Sequence, residues 1–159
     1  MSIRNAAKAI VIYENKILLN KCKDKNDLIY YVLPGGGQNQ YETIKEAIVR
    51  ECLEETGYTV IPVRFVALYE EIYINEEIRI NSPDYSHRIY HIFICKIKNK
   101  DTKISTEKDN MQINSEWIDL DSLSHIRFLP KKISKNLKKI LNTKEELFFG
   151  SEYIDLNDI

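Results

Sequence analysis

The apolar run from Ala6 to Tyr13 (AAKAIVIY) is strand-like, and Glu14-Asn15-Lys16 offers a hairpin turn into a second run, Ile17 to Asn20. Ile29 to Leu33 reads as a third strand, running into Pro34-Gly35-Gly36-Gly37. From Glu42 to Glu55 the period becomes helical: Ile44, Ala47, Ile48 and Cys52 fall on one stripe, and Gly57 stands where a terminating glycine is expected. Val60 to Ile74 is β-branched and aromatic, which predicts one or two strands interrupted near Pro62. His87 to Ile97 predicts another strand, with Ile89, His91, Phe93 and Cys95 on one face and Tyr90, Ile92 and Ile94 on the other. A strand apolar on both faces is covered on both sides. Asp121-Ser122-Leu123 reads as a short capped turn. A second helix follows from about Pro130 to Leu141, with Ile133, Leu137, Ile140 and Leu141 as its packing stripe. Together these elements predict an α/β fold layered as an α/β/α sandwich. No repeat or linker divides the chain, so residues 1–159 are expected to form a single domain.

Composition narrows the function classes. The chain has 159 residues, 43% of them hydrophobic and 30% charged, with a net charge of -1. That balance excludes a disordered or collagenous chain and argues against a general nucleic-acid or membrane-surface binder. Cys22, Cys52 and Cys95 are odd in number and lack C-x-x-C spacing, so they read as reduced thiols of a cytoplasmic protein. No apolar run approaches the ~20 residues that cross a bilayer.

The charges of the first helix change the picture most. Glu51, Glu54 and Glu55 stand at i, i+3 and i+4, which puts three carboxylates on one face near the helix C-terminus, where the macrodipole disfavours them. Arg50 can pair with Glu54, but one cation does not balance three anions. A hard divalent cation with oxygen ligands would, and Mg²⁺ suits. Four of the five glycines lie between Gly35 and Gly57, and Gly35, Gly36 and Gly37 feed the same helix. Such a loop can bring its backbone amides and carbonyls against an ion or a phosphate.

Gly36, five residues, Glu42, seven residues, then Arg50-Glu51-Cys52-Leu53-Glu54-Glu55-Thr56-Gly57-Tyr58 resembles the signature of the Nudix hydrolases. Cys52 and Tyr58 replace aliphatic residues of that pattern, and Asn39 and Tyr41 stand where many members carry Glu and Gly. The resemblance implies a Nudix-type α/β/α sandwich with a mixed β-sheet. It also implies hydrolysis of a diphosphate in a nucleoside diphosphate linked to another group: a nucleotide, a dinucleoside polyphosphate or a nucleotide sugar. On the same basis Glu51, Glu54 and Glu55 would hold one to three Mg²⁺ or Mn²⁺ ions, with the Gly35 carbonyl completing the shell. Arg50 would orient a glutamate, and Glu42 would brace the loop–helix junction or act as an outer-shell ligand. The water's proton would go to Glu54 or to a distal carboxylate, for which Glu107, Asp109 and Glu116 are the candidates. A homodimer accords with the family. The alternative is a non-catalytic nucleotide-sensing domain that regulates a partner.

Other signals are weaker. Arg88 opens a strand after a polar loop and is a candidate phosphate ligand, with His87 beside it; His91 reads as a hydrogen-bonded core residue. Tyr69 and Tyr73 alternate with apolar residues downstream of the signature, and resemblance to the dinucleoside-polyphosphate branch of the family implies a tyrosine at about this distance that stacks on a base. No proline lies between Pro62 and Pro83, where the ADP-ribose branch of the family tends to place one, and this leans away from ADP-ribose. The lysines from Lys131 to Lys139 read as a solvated face offset by an acidic tail that includes Glu145, Glu146 and Glu152.

Overall fold

The computed structural model describes residues 3–99 and 111–155. Strands β1 (Arg4–Tyr13) and β2 (Lys16–Lys23) form a hairpin whose two loop residues, Glu14 and Asn15, have φ of 48° and 61°. A two-residue turn with both φ positive matches the twist of antiparallel strands. The hairpin pairs at Ile12–Ile17 and Tyr13–Lys16, and its strands then take different neighbours. β2 is antiparallel to β3 (Ile29–Val32) and to β6 (Gln112–Asp119), while β3 carries the short parallel strand β7 (Phe128–Leu129). β1 runs parallel to β5 (His87–Ile97), which pairs antiparallel with β4 (Val60–Tyr73); β8 (Leu147–Ile154) closes that edge parallel to β4. The sheet is mixed, with the order β7-β3-β2-β1-β5-β4-β8 and β6 attached to β2.

Helices cover both faces. Ala47, Ile48 and Cys52 of α1 (Ile44–Thr56) pack on Ala7, Ala9, Val11, Leu18, Val60, Phe93 and Cys95 of the sheet. The small side chains of Ala7, Ala9 and Ala47 allow the helix to approach the sheet closely. The opposite face of β1 and β5 contributes Ala6, Ile10, Tyr90 and Ile92, packed with Ile133, Leu137 and Ile140 of α3 (Lys131–Asn142). The α/β/α layering read from the sequence is thus present, and β5 is covered on both faces. A short helix, α2 (Glu76–Asn81), capped by Asn75, leads back into β5.

Two expectations change. Pro62 does not divide the Val60–Ile74 segment: β4 is continuous, and the ladder to β5 shifts register between Pro62 and Arg64 and again between Phe65 and Ala67. Such irregularities tolerate a residue that cannot donate to the ladder. The chain after α3, read as an acidic tail, instead forms β8, with Lys132 of α3 paired to its Glu152 at 2.6 Å.

The start of α1 is fixed by a capping box. The Thr43 hydroxyl accepts from Glu46 N, and the Glu46 carboxylate accepts from Thr43 N at 2.8 Å. Just before it, Tyr41 has φ of 69° and is 97% exposed, so a left-handed backbone carries a side chain that packs on little. Thr43→Ala should lower stability by about 1 kcal/mol, with Thr43→Ser close to wild type. Tyr41→Gly should raise it, by up to ~1 kcal/mol, because glycine relieves the left-handed strain. Urea unfolding followed by circular dichroism checks both.

Candidate active site

Residues Pro34 to Gln38 are tied to β1. Ala9 N donates to Pro34 O at 2.9 Å, Ala7 N to Gly36 O at 2.8 Å, and Gln38 N to Asn5 O at 2.9 Å. Gly35 has φ of 120°, and a Cβ there would strike the Ala7 carbonyl. A Cβ on Gly36 would fall on the Glu51 carboxylate, so the bare glycine lets loop and helix meet face to face. α1 ends at Gly57, whose N–H donates to Leu53 O at 3.0 Å from a left-handed φ of 74°. Its final turns therefore carry Glu51, Glu54 and Glu55, while Cys52 points into the core.

Arg50 joins loop and helix. Its Nε and Nη2 donate to the two oxygens of Glu42 at 2.7 and 2.9 Å, its Nη1 to Glu51 at 2.7 Å and Glu54 at 3.2 Å, and its Nη2 also to Gly37 O at 3.0 Å. The fork geometry of a guanidinium allows this many partners where an ammonium would not. Glu42 further accepts from Asn39 N at 2.9 Å, and the hydrogen bonds from Arg50 hold its carboxyl below the usual range. Glu55 faces the other way: its Oε2 accepts from Gly35 N and from Asn20 Nδ2, both at 2.7 Å. The enclosure of Glu55 pushes its carboxyl pKa up, and the nearby Lys8 ammonium opposes that rise. Lys8 Nζ itself donates to Leu33 O at 3.2 Å and to Gly35 O. Neither Lys8 nor Asn20 was a candidate from sequence. Nothing marks them out until strand register brings β1 and β2 beside the loop.

Among the described residues, no three carboxylate, thiolate or imidazole side chains converge on one point. The donors are instead spread along a helix face opposite a glycine carbonyl. Such a set fits Mg²⁺, which is held by one or two carboxylates and keeps waters or phosphate oxygens in its remaining positions.

Further along the sheet, the remaining sequence candidates separate. Arg88 Nη2 donates to Glu71 Oε2 and to the Tyr73 hydroxyl, each at 2.9 Å, and Tyr90 OH donates to the same Glu71 oxygen at 2.8 Å. Arg88 lies over the rings of Tyr73 and Tyr90, and its buried Nε has no hydrogen-bond partner among the described residues. Its neighbour in the β1–β5 register is Arg4, which sits over the Tyr85 ring and forms no ion pair among the described residues. A Cβ on Gly37 would strike the Arg4 guanidinium, so this cation lies against the glycine loop. Glu116 is taken by Lys21 at 2.9 Å and the Tyr31 hydroxyl at 3.2 Å, and its pKa is lowered chiefly by the Lys21 hydrogen bond. The adjacent Ser115, on the opposite face of β6, is the residue that reaches Asn20 and Glu55 O. His87 pairs with Glu70 at 2.7 Å, and His91 is half-buried with a 3.4 Å contact to Asn5. Glu107 and Asp109 lie outside the described residues.

Comparison with known proteins agrees with this architecture. A family model described as NUDIX domain matches residues 3–143. The chain is 30% identical over 140 residues to an ADP-ribose pyrophosphatase of Methanocaldococcus jannaschii, covering 86% of this chain and 74% of that protein. Among solved structures it resembles a NUDIX hydrolase from Nitrosomonas europaea, with a TM-score of 0.72 and 17% identity over 91% of this chain and 93% of the other. It also resembles a Mutator MutT protein from Bacillus halodurans, with a TM-score of 0.68 and 18% identity over 99% and 94%. These two share the fold; the family match and the archaeal relative carry the activity. The chain belongs to the Nudix hydrolases, a family that acts on pyrophosphate bonds and generally needs a divalent metal.

Proposed function

We propose that this protein is a Mg²⁺-dependent pyrophosphohydrolase acting on a nucleoside diphosphate linked to a second group, and that ADP-ribose is the first substrate to test. The observation that carries the reading is the Arg50 fan. It holds Glu51 and Glu54 on the helix while Glu55 anchors the Gly35 peptide, so the carboxylates face a loop of bare glycines. Glu51, Glu54, Glu55 and the Gly35 carbonyl would hold the metal, which neutralises diphosphate charge and makes water more acidic when bound. Glu54, the more loosely paired of the two Arg50 partners on the helix, takes the proton of the attacking water. Arg50 keeps Glu54 aimed, and Glu42 fixes Arg50. Arg4, which forms no ion pair among the described residues, and Arg88, whose buried Nε has no hydrogen-bond partner among them, supply positive charge for the substrate's phosphates. Tyr73 stays with Arg88 as part of that surface.

ADP-ribose rests on the archaeal relative and on nothing in the site; the missing proline between Pro62 and Pro83 argues the other way. We also place the enzyme in the cytoplasm. No helix among the described residues is long and apolar enough to cross a membrane. Cys22, Cys52 and Cys95 are buried and outside any disulfide, and burial pushes the Cys95 thiol up to about 12.

Glu54→Gln should keep the fold and its melting temperature while reducing turnover by at least about 10²-fold, since proton transfer to a positioned base contributes roughly that much. Product release from ADP-ribose, dinucleoside polyphosphates, nucleotide sugars and nucleoside triphosphates, each with Mg²⁺, Mn²⁺ or EDTA, measures this and identifies the substrate. Tight binding without turnover across the panel would favour the sensing alternative. Arg4→Ala should raise KM severalfold with a smaller change in kcat, because it removes charge that holds the phosphates before and during reaction. Unchanged KM would remove Arg4 from the substrate surface.

A further inference from the structure

The Gly35 peptide is gripped from both sides. Its N–H donates to the Glu55 carboxylate at 2.7 Å, and its carbonyl accepts from the Lys8 ammonium, which also donates to Leu33 O at 3.2 Å. Lys8 is the only charged residue between Asn5 and Tyr13 of β1, and its strand neighbours on the same face, Ala6 and Ile10, are core residues. An ammonium drawn into such a place gives up hydration and side-chain freedom, so something must favour it there. Two carbonyls do, together with the negative charge of Glu55, to which Lys8 is attracted. The carbonyl of Gly35 and the carboxylate of Glu55 are also two of the groups assigned above to the divalent metal.

We propose that Lys8 is the protein's own cation for the metal-free site: its ammonium occupies the Gly35 carbonyl and offsets Glu55, and a divalent ion competes with it for both. This rests on reading Gly35 and Glu55 as metal-holding groups. The consequence is a site that stays assembled without metal and gives up some metal affinity in return. Without Lys8, the metal-free protein would lose a cation that offsets the enclosed Glu55, a costly change. With Lys8, each metal-binding event must first release an ammonium.

The test is Mn²⁺ binding to the metal-stripped full chain, followed by the electron paramagnetic resonance of free Mn²⁺, in wild type, Lys8→Met, Lys8→Gln and Lys8→Arg. Removing one positive charge from beside the metal should tighten Mn²⁺ binding about tenfold in Lys8→Met and Lys8→Gln, and Lys8→Arg should stay near wild type. In EDTA the two neutral variants should melt below wild type, and saturating Mn²⁺ should close the gap. Lys8→Gln keeps an amide that can donate to Gly35 O, so it carries the test if Lys8→Met does not fold. A lysine with a merely structural role would leave affinity unchanged or weaker on removal. Wild-type Mn²⁺ binding with no gain in either neutral variant overturns the proposal and leaves the metal site standing. No binding by wild type or by any variant overturns the metal-site reading and this proposal with it.

Discussion

One guanidinium holds this site together. Arg50 reaches Glu42 and Gly37 on the loop and Glu51 and Glu54 on the helix, so the relative placement of two segments depends on a single side chain. Those contacts raise the already high pKa of Arg50, with the Glu42 hydrogen bonds as the largest cause, and it stays charged at any pH the fold survives. The arrangement is one-sided in its energetics. Removing Arg50 would leave several carboxylates close together and partly enclosed, which costs far more than the ion pairs contribute. Glu42, Glu51, Glu54 and Glu55 thus gather beside one glycine loop, a concentration of negative charge of the kind a divalent ion answers, in a chain whose overall net charge is only -1.

The elements legible in the sequence are those whose signal is local. The Glu14-Asn15 turn, the helical stripe of α1, Gly57 at its end and the two-faced apolar strand β5 each rest on residues within a dozen positions of one another. β6 and β8 were not legible as strands, for different reasons. β6 is polar because Gln112, Ser115 and Glu116 are occupied by hydrogen bonds to other segments, including Glu55 O and Lys21. β8 carries acidic residues and a glycine at φ of 79°, which disguise it as a tail; its place is set by β4, and Glu152 meets both Lys132 and Tyr69. Pro62 misled in the opposite direction, because a register shift absorbs a proline that sequence rules count as a break.

The same division runs through the site. Carboxylates three and four residues apart on a helix can be read from spacing alone. Residues delivered by strands cannot, since their neighbours depend on register between segments far apart in the chain. Lys8 looks like a blemish in an apolar strand, and Asn20 like the polar end of another. Only the pairing of β1 with the Pro34–Gly36 loop, and of β2 with β6, brings them to Gly35 and Glu55.

Register also accounts for the cations proposed to meet the substrate. Parallel pairing of β1 with β5 sets Arg4 directly beside Arg88. Like charges on adjacent strands repel, and the two side chains take different surroundings. Arg88 is held by Glu71, Tyr73 and Tyr90, whereas among the described residues Arg4 meets the Tyr85 ring and the edge of Gly37. Glu71, itself buried, shares one oxygen between Arg88 and the Tyr90 hydroxyl. The fold thus fixes one arginine by an internal partner and, among the described residues, gives the other no counter-charge beside the glycine loop. A diphosphate lying between that charge and the helix carboxylates with their metal would meet cations on both sides, which is the condition for placing an anionic substrate next to an acidic helix.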